Sequence, residues 1–520
     1  MPFLAHWAVA TPSGDIHATL DALADGSARP GRLVGPLLPL LQRLGGEVCI
    51  GKAPDVVLLA TAKGDLPLWA EAVLPGGDRH SGSPACLARQ LARHFACPAW
   101  ALGAACASGP VALAEAARLI RAGDARRVLV LGGDRLADFV DEGFAGLKAV
   151  DPDRCRPFDA ARAGIQLGET AAAVLLDAAT GRVQLQGWGQ SLDASHLTAP
   201  TRDGGGLSAA CSQALALGLV ALPGLIVAHG TGTRANDDAE SLAYARIMGG
   251  VPVVGWKGGL GHSLGACGLT EVVLAAECLA TGAAAPGTVG YHNLGVPGAI
   301  RVLGAGLHVA PGPWLSTNAG FGGMNGVVLL GDRPPRALAA QPAALVTRAE
   351  ATAKGWEAGG ATGSWGIPAA VGILPRPTAR QVTGAVDPSW GRMDAPCRLL
   401  VALGHLLKPW PSATHIVLLT DSGCLLTDAA FERGRREGVP DFQSFAYTLA
   451  STPIGEASIR LGIRGGGQVV LGASDREGRR MAERCIGEGA PAVLLARIET
   501  GVEPEVAWIE RYERAPAPCP

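Results

Sequence analysis

Short, wholly apolar runs recur along this chain, separated by longer Ala- and Leu-rich stretches. Val56–Ala60, Val128–Leu131, Ala172–Leu176, Leu225–Ala228, Val251–Gly255 and Val327–Leu330 are apolar at nearly every position rather than at alternate ones. A strand that is apolar on both sides must be covered on both sides, so helices have to flank the sheet on each face. Pro110–Ala122, Asp237–Ile247 and Ser263–Thr281 read as such helices, and Ala99–Gly103 as a further strand. The chain is therefore expected to be an α/β body. Aromatics make up 5% of it, so the core has to be built from Ala, Val and Leu. The 73 glycines follow no G-X-Y period, which excludes collagen.

Charge excludes several functions. Lys and Arg number 44 against 46 Asp and Glu, a formal net charge of −2, so neither nucleic acid nor an anionic membrane surface is an expected partner. The opening MPFLAHWAVATPSGD has no basic segment before Asp15, unlike a secretory signal. The longest apolar run, Ala214–Ala228, is interrupted by Gly218, Pro223 and Gly224. It is too short for a bilayer and reads as a buried strand with its approach loop. The cysteines are scattered, without CxxC or zinc-ligand spacing, so no metal is expected and a reduced, cytoplasmic setting is.

Three segments are expected: 1–332, a Pro/Ala-rich linker at 333–344 (DRPPRALAAQPAA follows Gly331), and 345–520, whose last residues, ERAPAPCP, should fray. The third echoes the first. Ser83–Gly109 aligns without a gap to Thr452–Gly478, Val56–Gly64 echoes Ile416–Gly423, Arg32–Leu41 faintly echoes Arg398–Leu407, and Asp124–Leu131 matches Gly489–Ala496. Nothing in the third segment matches residues 150–330. Its half-layer is expected to leave an apolar face that must pack on something.

Four motifs could carry chemistry. Cys106, in LGAACASGP, sits where a strand turns through small residues into a helix. There the helix dipole and free N–H groups lower a thiol pKa, although a small core cysteine would look the same. HGTGT (His229–Thr233) follows a buried strand and precedes Asp237 and Glu240; α/β folds place their sites at such strand ends. KGGLGHSLGACGLTE (Lys257–Glu271) brings Lys257, His262 and Glu271 together with Gly258, Gly259, Gly261 and Gly265, a crowded backbone corner. A solvated lysine and a structural histidine are the bland alternatives. STNAGFGGMNG (Ser316–Gly326) reads as a glycine-rich turn without dinucleotide spacing.

In this order the four motifs resemble those of the β-ketoacyl-(acyl carrier protein) synthases, condensing enzymes of the thiolase fold. CRPFDAARAGIQLGET (Cys155–Thr170) is similar to the family's stretch between nucleophile and first histidine. The resemblance covers about residues 1–332. It implies a five-layered α-β-α-β-α fold in which Cys106 is the nucleophile, His229 and His262 are the active-site histidines, and Lys257 pairs with Glu271. It further implies that Phe321 and Gly322 form the substrate gate, that backbone N–H groups of Cys106 and Phe321 make the oxyanion hole, and that Thr231 and Thr233 bind substrate. No cofactor is implied beyond substrates carried on the phosphopantetheine of an acyl carrier protein. The partners implied are that carrier and a second synthase-like subunit, in a homodimer or heterodimer.

Two sister branches fit less well. Thiolases need a second cysteine near the last glycine-rich turn, and initiating synthases use Cys–His–Asn. The segment before Cys106 is shorter than the family's, GAACASG replaces its usual nucleophile context, and Met324 stands where a small polar residue is common. The third segment resembles the first half of a synthase again, a partial thiolase-like half-domain. Asp475 falls opposite Cys106 there, as in modules called chain-length-factor-like; a degraded duplication kept for packing is the plainer alternative. The expected function is decarboxylative condensation of an acyl thioester with a malonyl-carrier thioester in fatty-acid or polyketide assembly. A non-catalytic chain-length-factor-like subunit, or an acyltransferase that does not decarboxylate, are the alternatives.

Overall fold

The computed structural model describes residues 1–73, 78–332, 342–352, 355–365 and 373–515. They form two compact units, one from residues 1–191, 199–320 and 324–332, the other from 192–198, 321–323 and the described residues beyond 341. Most of the expected linker and the last residues of the chain lie outside the described residues.

The first unit opens on β1 (Phe3–Ala10), α1 (Ile16–Ala24), α2 (Leu37–Val48), β2 (Val56–Ala60), α3 (Leu66–Ala72), α4 (Pro84–Phe95), β3 (Ala99–Gly103), α5 (Ser108–Ala122), β4 (Arg127–Gly133), α6 (Asp138–Gly146) and β5 (Ala171–Asp177). It continues with β6 (Val183–Leu192), α7 (Gly205–Gly218), β7 (Leu225–Val227), α8 (Arg234–Met248), β8 (Pro252–Val254), α9 (Lys257–Leu260) and α10 (Cys267–Thr281). The short β9 (Ala285–Pro286), β10 (Arg301–Val302) and β11 (Leu307–His308) lead to the hairpin of β12 (Trp314–Gly320) and β13 (Met324–Gly331).

One sheet has the order β3-β2-β4-β5-β1, with β2 parallel to β3 and β4, and β5 antiparallel to β4 and β1. The other has the order β6-β13-β12-β7-β8-β10, with β12, β7, β8 and β10 parallel and β13 antiparallel to β12. Helices α5 and α10 pack on each other and touch strands of both sheets, α2 and α4 cover the first sheet, and α7 covers the second and packs on α8. These are the five layers expected. The middle layer explains the composition of its helices: α5 is buried at every position from Ser108 to Ile120 and α10 from Cys267 to Cys278. By length and composition Leu264–Thr281 could cross a membrane, but 83% of it is buried inside the protein, where an all-round apolar helix also belongs.

Small residues let the middle layer close. A Cβ at Gly109 of α5 would lie 2.3 Å from the Leu269 backbone nitrogen, and one at Gly268 of α10 would lie 2.6 Å from Cδ of Pro110. The two helices thus meet backbone to backbone.

Two local expectations are corrected. The Ala214–Ala228 run is not all strand and approach: Ala214–Gly218 complete α7, whose Ala- and Leu-rich sequence favours helix and buries Ala214 and Leu215. Ser316–Gly326 is not one turn: β12 runs to Gly320 and β13 starts at Met324, leaving only Phe321–Gly323 as the bend.

The second unit contains β14 (Ala343–Thr352), β15 (Gly355–Ala358), β16 (Ala361–Gly363), α11 (Ala379–Thr383), α12 (Ala395–Leu406), β17 (His415–Thr420), α13 (Leu425–Arg436), α14 (Thr452–Leu461), β18 (Gly467–Leu471), α15 (Asp475–Gly487), β19 (Ala492–Glu499) and β20 (Val506–Arg514). Its β17 is parallel to β18 and β19, and β20 is antiparallel to β19 and β14. The order β18-β17-β19-β20-β14 repeats that of the first unit's β3-β2-β4-β5-β1. Helices follow suit, α12 packing on α14 as α2 packs on α4. The internal echo in the sequence is thus a repeat of topology.

The repeat differs where the chemistry would be. Ser474 caps α15 by accepting from Glu477 N, and Asp475 pairs with Arg497 at 2.5 Å. Unlike α5, α15 is amphipathic, with Arg476, Arg480 and Glu483 exposed. The expected bare apolar face is, on this helix, a charged one.

Candidate active site

Cys106 stands at the junction of β3 and α5. Ala105, just before it, has φ +49°, a left-handed conformation that costs a residue with a Cβ roughly 1–2 kcal/mol. Ser108 braces the bend: its hydroxyl accepts from Ala104 N at 2.9 Å and donates to Ala105 O at 2.6 Å. Its neighbours Ala105 and Ala107 are buried, whereas Cys106 is partly exposed. Gly320, at the end of β12, comes close: a Cβ there would be 2.9 Å from Cys106 N and 2.8 Å from Ala104 O. The sequence offered no sign of this role beyond the glycine itself.

His229 follows β7, and two carboxylates of α8 shape the loop that carries it. Glu240 accepts from the backbone N–H of His229 (2.9 Å) and of Gly230 (2.7 Å), and Asp237 from those of Thr231 (3.1 Å) and Gly232 (3.2 Å). Burial raises both carboxyls, Asp237 to about 6 and Glu240 to about 7, the latter with help from Asp237. The hydroxyls of Thr231 and Thr233 are 2.9 Å apart.

His262 donates its backbone N–H to Gln166 O at 2.7 Å, and its ring Nδ1 accepts from Leu264 N at 3.1 Å. The two imidazoles stand edge to face, 5.4 Å between centroids. Cys106 Sγ and one nitrogen of each ring lie within 4.8 Å of one another. Three motifs far apart in the sequence, around Cys106, His229 and His262, thus converge on one point.

Lys257 is the charge behind this group. It is buried and donates to Glu271 at 2.6 Å. Burial opposes its charge, but Glu271 outweighs that and holds the ammonium above the usual lysine range. Asn318 of β12 extends the chain of contacts, its Nδ2 lying 3.0 Å from the second oxygen of Glu271 and 3.2 Å from His229 Nδ1. Burial, and then the Lys257 charge, hold both rings neutral: His229 falls well below its ordinary value and His262 drops to about 3.

Such rings make stability depend on pH. An unfolded chain protonates His262 near pH 6.5, whereas the folded one resists until about 3, so acid favours unfolding through that window. Glu240 and Asp237, with raised values, act in the opposite sense, so a difference measurement is needed. His262→Gln should gain on the wild type in urea unfolding by about 1.4 kcal/mol for each pH unit below 6. A difference that stays flat from pH 6 to 4 would refute the neutral, buried ring.

Other residues complete the frame. Asp134, after β4, accepts from Thr61 Oγ1 (2.6 Å), from the N–H groups of Lys63 and Gly64, and from Gly265 N (2.8 Å), which ties the Lys257–Glu271 segment to the first sheet. Cys267 opens α10 rather than lying inside it, its thiol 3.4 Å from Cys106 O and pushed well up by burial. Phe321 and Gly322 lie in the bend that groups with the second unit, where Gly322 N–H donates to Leu197 O at 2.6 Å and Gly322 has φ +85°. As for metals, Cys106, His229 and His262 offer a thiol and two imidazoles as possible ligands.

Comparison with known proteins bears on the same residues. The family profile described as "Beta-ketoacyl synthase, N-terminal domain" matches residues 50–180, and "Beta-ketoacyl synthase, C-terminal domain" matches 183–291. The chain is 34% identical over 253 residues to a 3-oxoacyl-[acyl-carrier-protein] synthase 2 of Rhizobium meliloti (strain 1021), covering 44% of this chain and 59% of that one. It is 31% identical over 289 residues to a protein of the same name from Mycobacterium bovis, covering 51% of this chain and 67% of the other. The chain thus spans between half and two-thirds of the length of such curated relatives. A solved structure, "PfaC Keto synthase-Chain length factor", superimposes on 99% of this chain and 78% of its own with a TM-score of 0.74 at 13% identity, a likeness of fold.

Proposed function

The chain belongs to the β-ketoacyl synthase family, and from that premise we propose that it catalyses a decarboxylative Claisen condensation between an acyl thioester and a malonyl thioester. The convergence of the Cys106 thiol with two neutral imidazoles carries this reading. Cys106 thiolate attacks the acyl thioester carbonyl and expels the carrier thiol, which leaves the acyl group on sulfur. A malonyl thioester then binds with its carbonyl oxygen facing the rings of His229 and His262. As carbon dioxide leaves, the electron pair of the broken C–C bond becomes an enolate, and two ring N–H donors stabilise the charge growing on its oxygen. A neutral ring that carries its proton on the nitrogen facing the substrate can donate there without the cost of burying a charge. The enolate carbon attacks the acyl-Cys106 carbonyl, a C–C bond forms, and the thiolate leaves.

In this proposal Thr231 and Thr233 contact the incoming thioester arm, and Phe321 and Gly322 gate it, with Phe321 N–H joining Cys106 N–H as the oxyanion donors. The carrier is an acyl carrier protein, and the second unit takes a chain-length-factor-like part. A wholly non-catalytic role is opposed by the retained thiol and its two histidines.

The test is intact-protein mass. Incubation with an acyl carrier thioester should add one acyl group, and addition of a malonyl carrier should then remove it and yield a 3-oxoacyl carrier with release of carbon dioxide. An acyl group that stays on the protein, or leaves only as free acid, would refute condensation.

A further inference from the structure

Asn318 was not among the residues singled out by sequence, yet it bridges the ion pair and a histidine. Its amide nitrogen faces Oε2 of Glu271 at 3.0 Å and Nδ1 of His229 at 3.2 Å, and the other oxygen of Glu271 holds Lys257 at 2.6 Å. A carboxylate paired with an ammonium only accepts, so the NH₂ end of the amide has to face it. The second amide proton then faces His229 Nδ1 at 3.2 Å and, further off at 3.8 Å, Cys267 Sγ, a weak acceptor; the imidazole is the better one, so its Nδ1 is the bare nitrogen. This orientation leaves Asn318 Oδ1 buried without a hydrogen-bond partner, pressed by Gly268. Stranding a buried acceptor is unfavourable, so the nitrogen side is what the site holds in place.

We propose that Asn318 is a positioning residue that fixes His229 as the Nε2–H tautomer, so that this ring offers a proton to the substrate rather than a lone pair. His262 reaches the same state by other means, since its Nδ1 accepts from the Leu264 backbone N–H. One histidine is set by a main-chain N–H, which only a proline would remove, and the other by a side chain, which many substitutions would. Lys257 and Glu271 thereby act on His229 through Asn318: they orient the amide that orients the ring.

The tautomer stands independently of the condensation reading, whereas its effect on turnover rests on it, and the experiment separates the two. Two-bond ¹H–¹⁵N spectra of the ¹⁵N-histidine-labelled wild type, with His229→Gln for assignment, should show a protonated Nε2 and a bare Nδ1. A protonated Nδ1 overturns the proposal, whether or not any variant folds. In Asn318→Leu no donor is left facing Nδ1, so the ring is released to switch to Nδ1–H. Acylation of Cys106 should then stay within about threefold while malonyl decarboxylation falls by about 10²-fold or more, as when an oxyanion donor is lost. An unswitched ring in Asn318→Leu overturns the proposal. A switched ring with unchanged decarboxylation upholds the positioning role and instead refutes the donor role given to His229.

Discussion

Cys106→Ala is expected to abolish covalent acylation, with intact mass unchanged after incubation with an acyl carrier thioester. The reason is that most of the other thiols are poorly placed to substitute. Cys155, Cys211, Cys267, Cys278, Cys397 and Cys485 are buried, and burial pushes the first of these to about 12. Cys49 and Cys97 are partly exposed but are raised to about 11, again chiefly by burial. Cys106 alone among these stands between a strand end and the start of a fully buried helix, next to two imidazoles. Prior acylation should also protect a single cysteine from iodoacetamide, identified as Cys106 by peptide mapping. Stoichiometric acylation of the Cys106→Ala protein would overturn the assignment of the nucleophile.

The second large effect separates the histidines from the thiol. His229→Ala and His262→Ala should each lower malonyl decarboxylation by about 10²–10³, the loss typical of one oxyanion donor. Acyl transfer to Cys106 should remain largely intact in both, because the attack on the first thioester does not use an enolate. Single-turnover acylation followed by mass spectrometry measures one step, and carbon dioxide release measures the other. If either variant lost acylation as severely as decarboxylation, the division of labour would be wrong, and the rings would instead be serving as bases for the thiol.

The strands and helices of the middle and inner layers were legible because they obey a simple rule: continuous apolar runs at strand length, Ala-rich runs at helix length. The runs at Val56–Ala60 and Ala99–Gly103 match β2 and β3 residue for residue. β12 was hidden because Ser316, Thr317, Asn318 and Gly320 read as turn residues, and only the pairing with β7 and β13 makes them a strand. The site's main members were legible because each sits in a glycine-marked motif. Asn318, Gly320 and Asp134 were not, because each acts across the fold: Asn318 on a ring 89 positions away, Asp134 on a backbone amide 131 positions away. Composition and periodicity are local properties, and such contacts leave no local trace. The topological repeat was visible as faint similarity, yet the charged outer face of α15 was not, because the similarity resides in the shared positions rather than the exposed ones.

The backbone-to-backbone crossing of Gly109 and Gly268 has a consequence for how this protein can vary. Elsewhere in the core a larger residue in one helix can be offset by a smaller one opposite, because side chains fill the space between. At this crossing Gly109 faces the Leu269 main chain, where no smaller side chain opposite can make room, and Gly268 is crowded by the Pro110 ring and the Asn318 amide. The thiol at the head of α5 and the carboxylate of Glu271 one turn beyond the joint in α10 are therefore held at a spacing set by main chain. Descendants of this chain can be expected to vary in nearly every layer before they vary there.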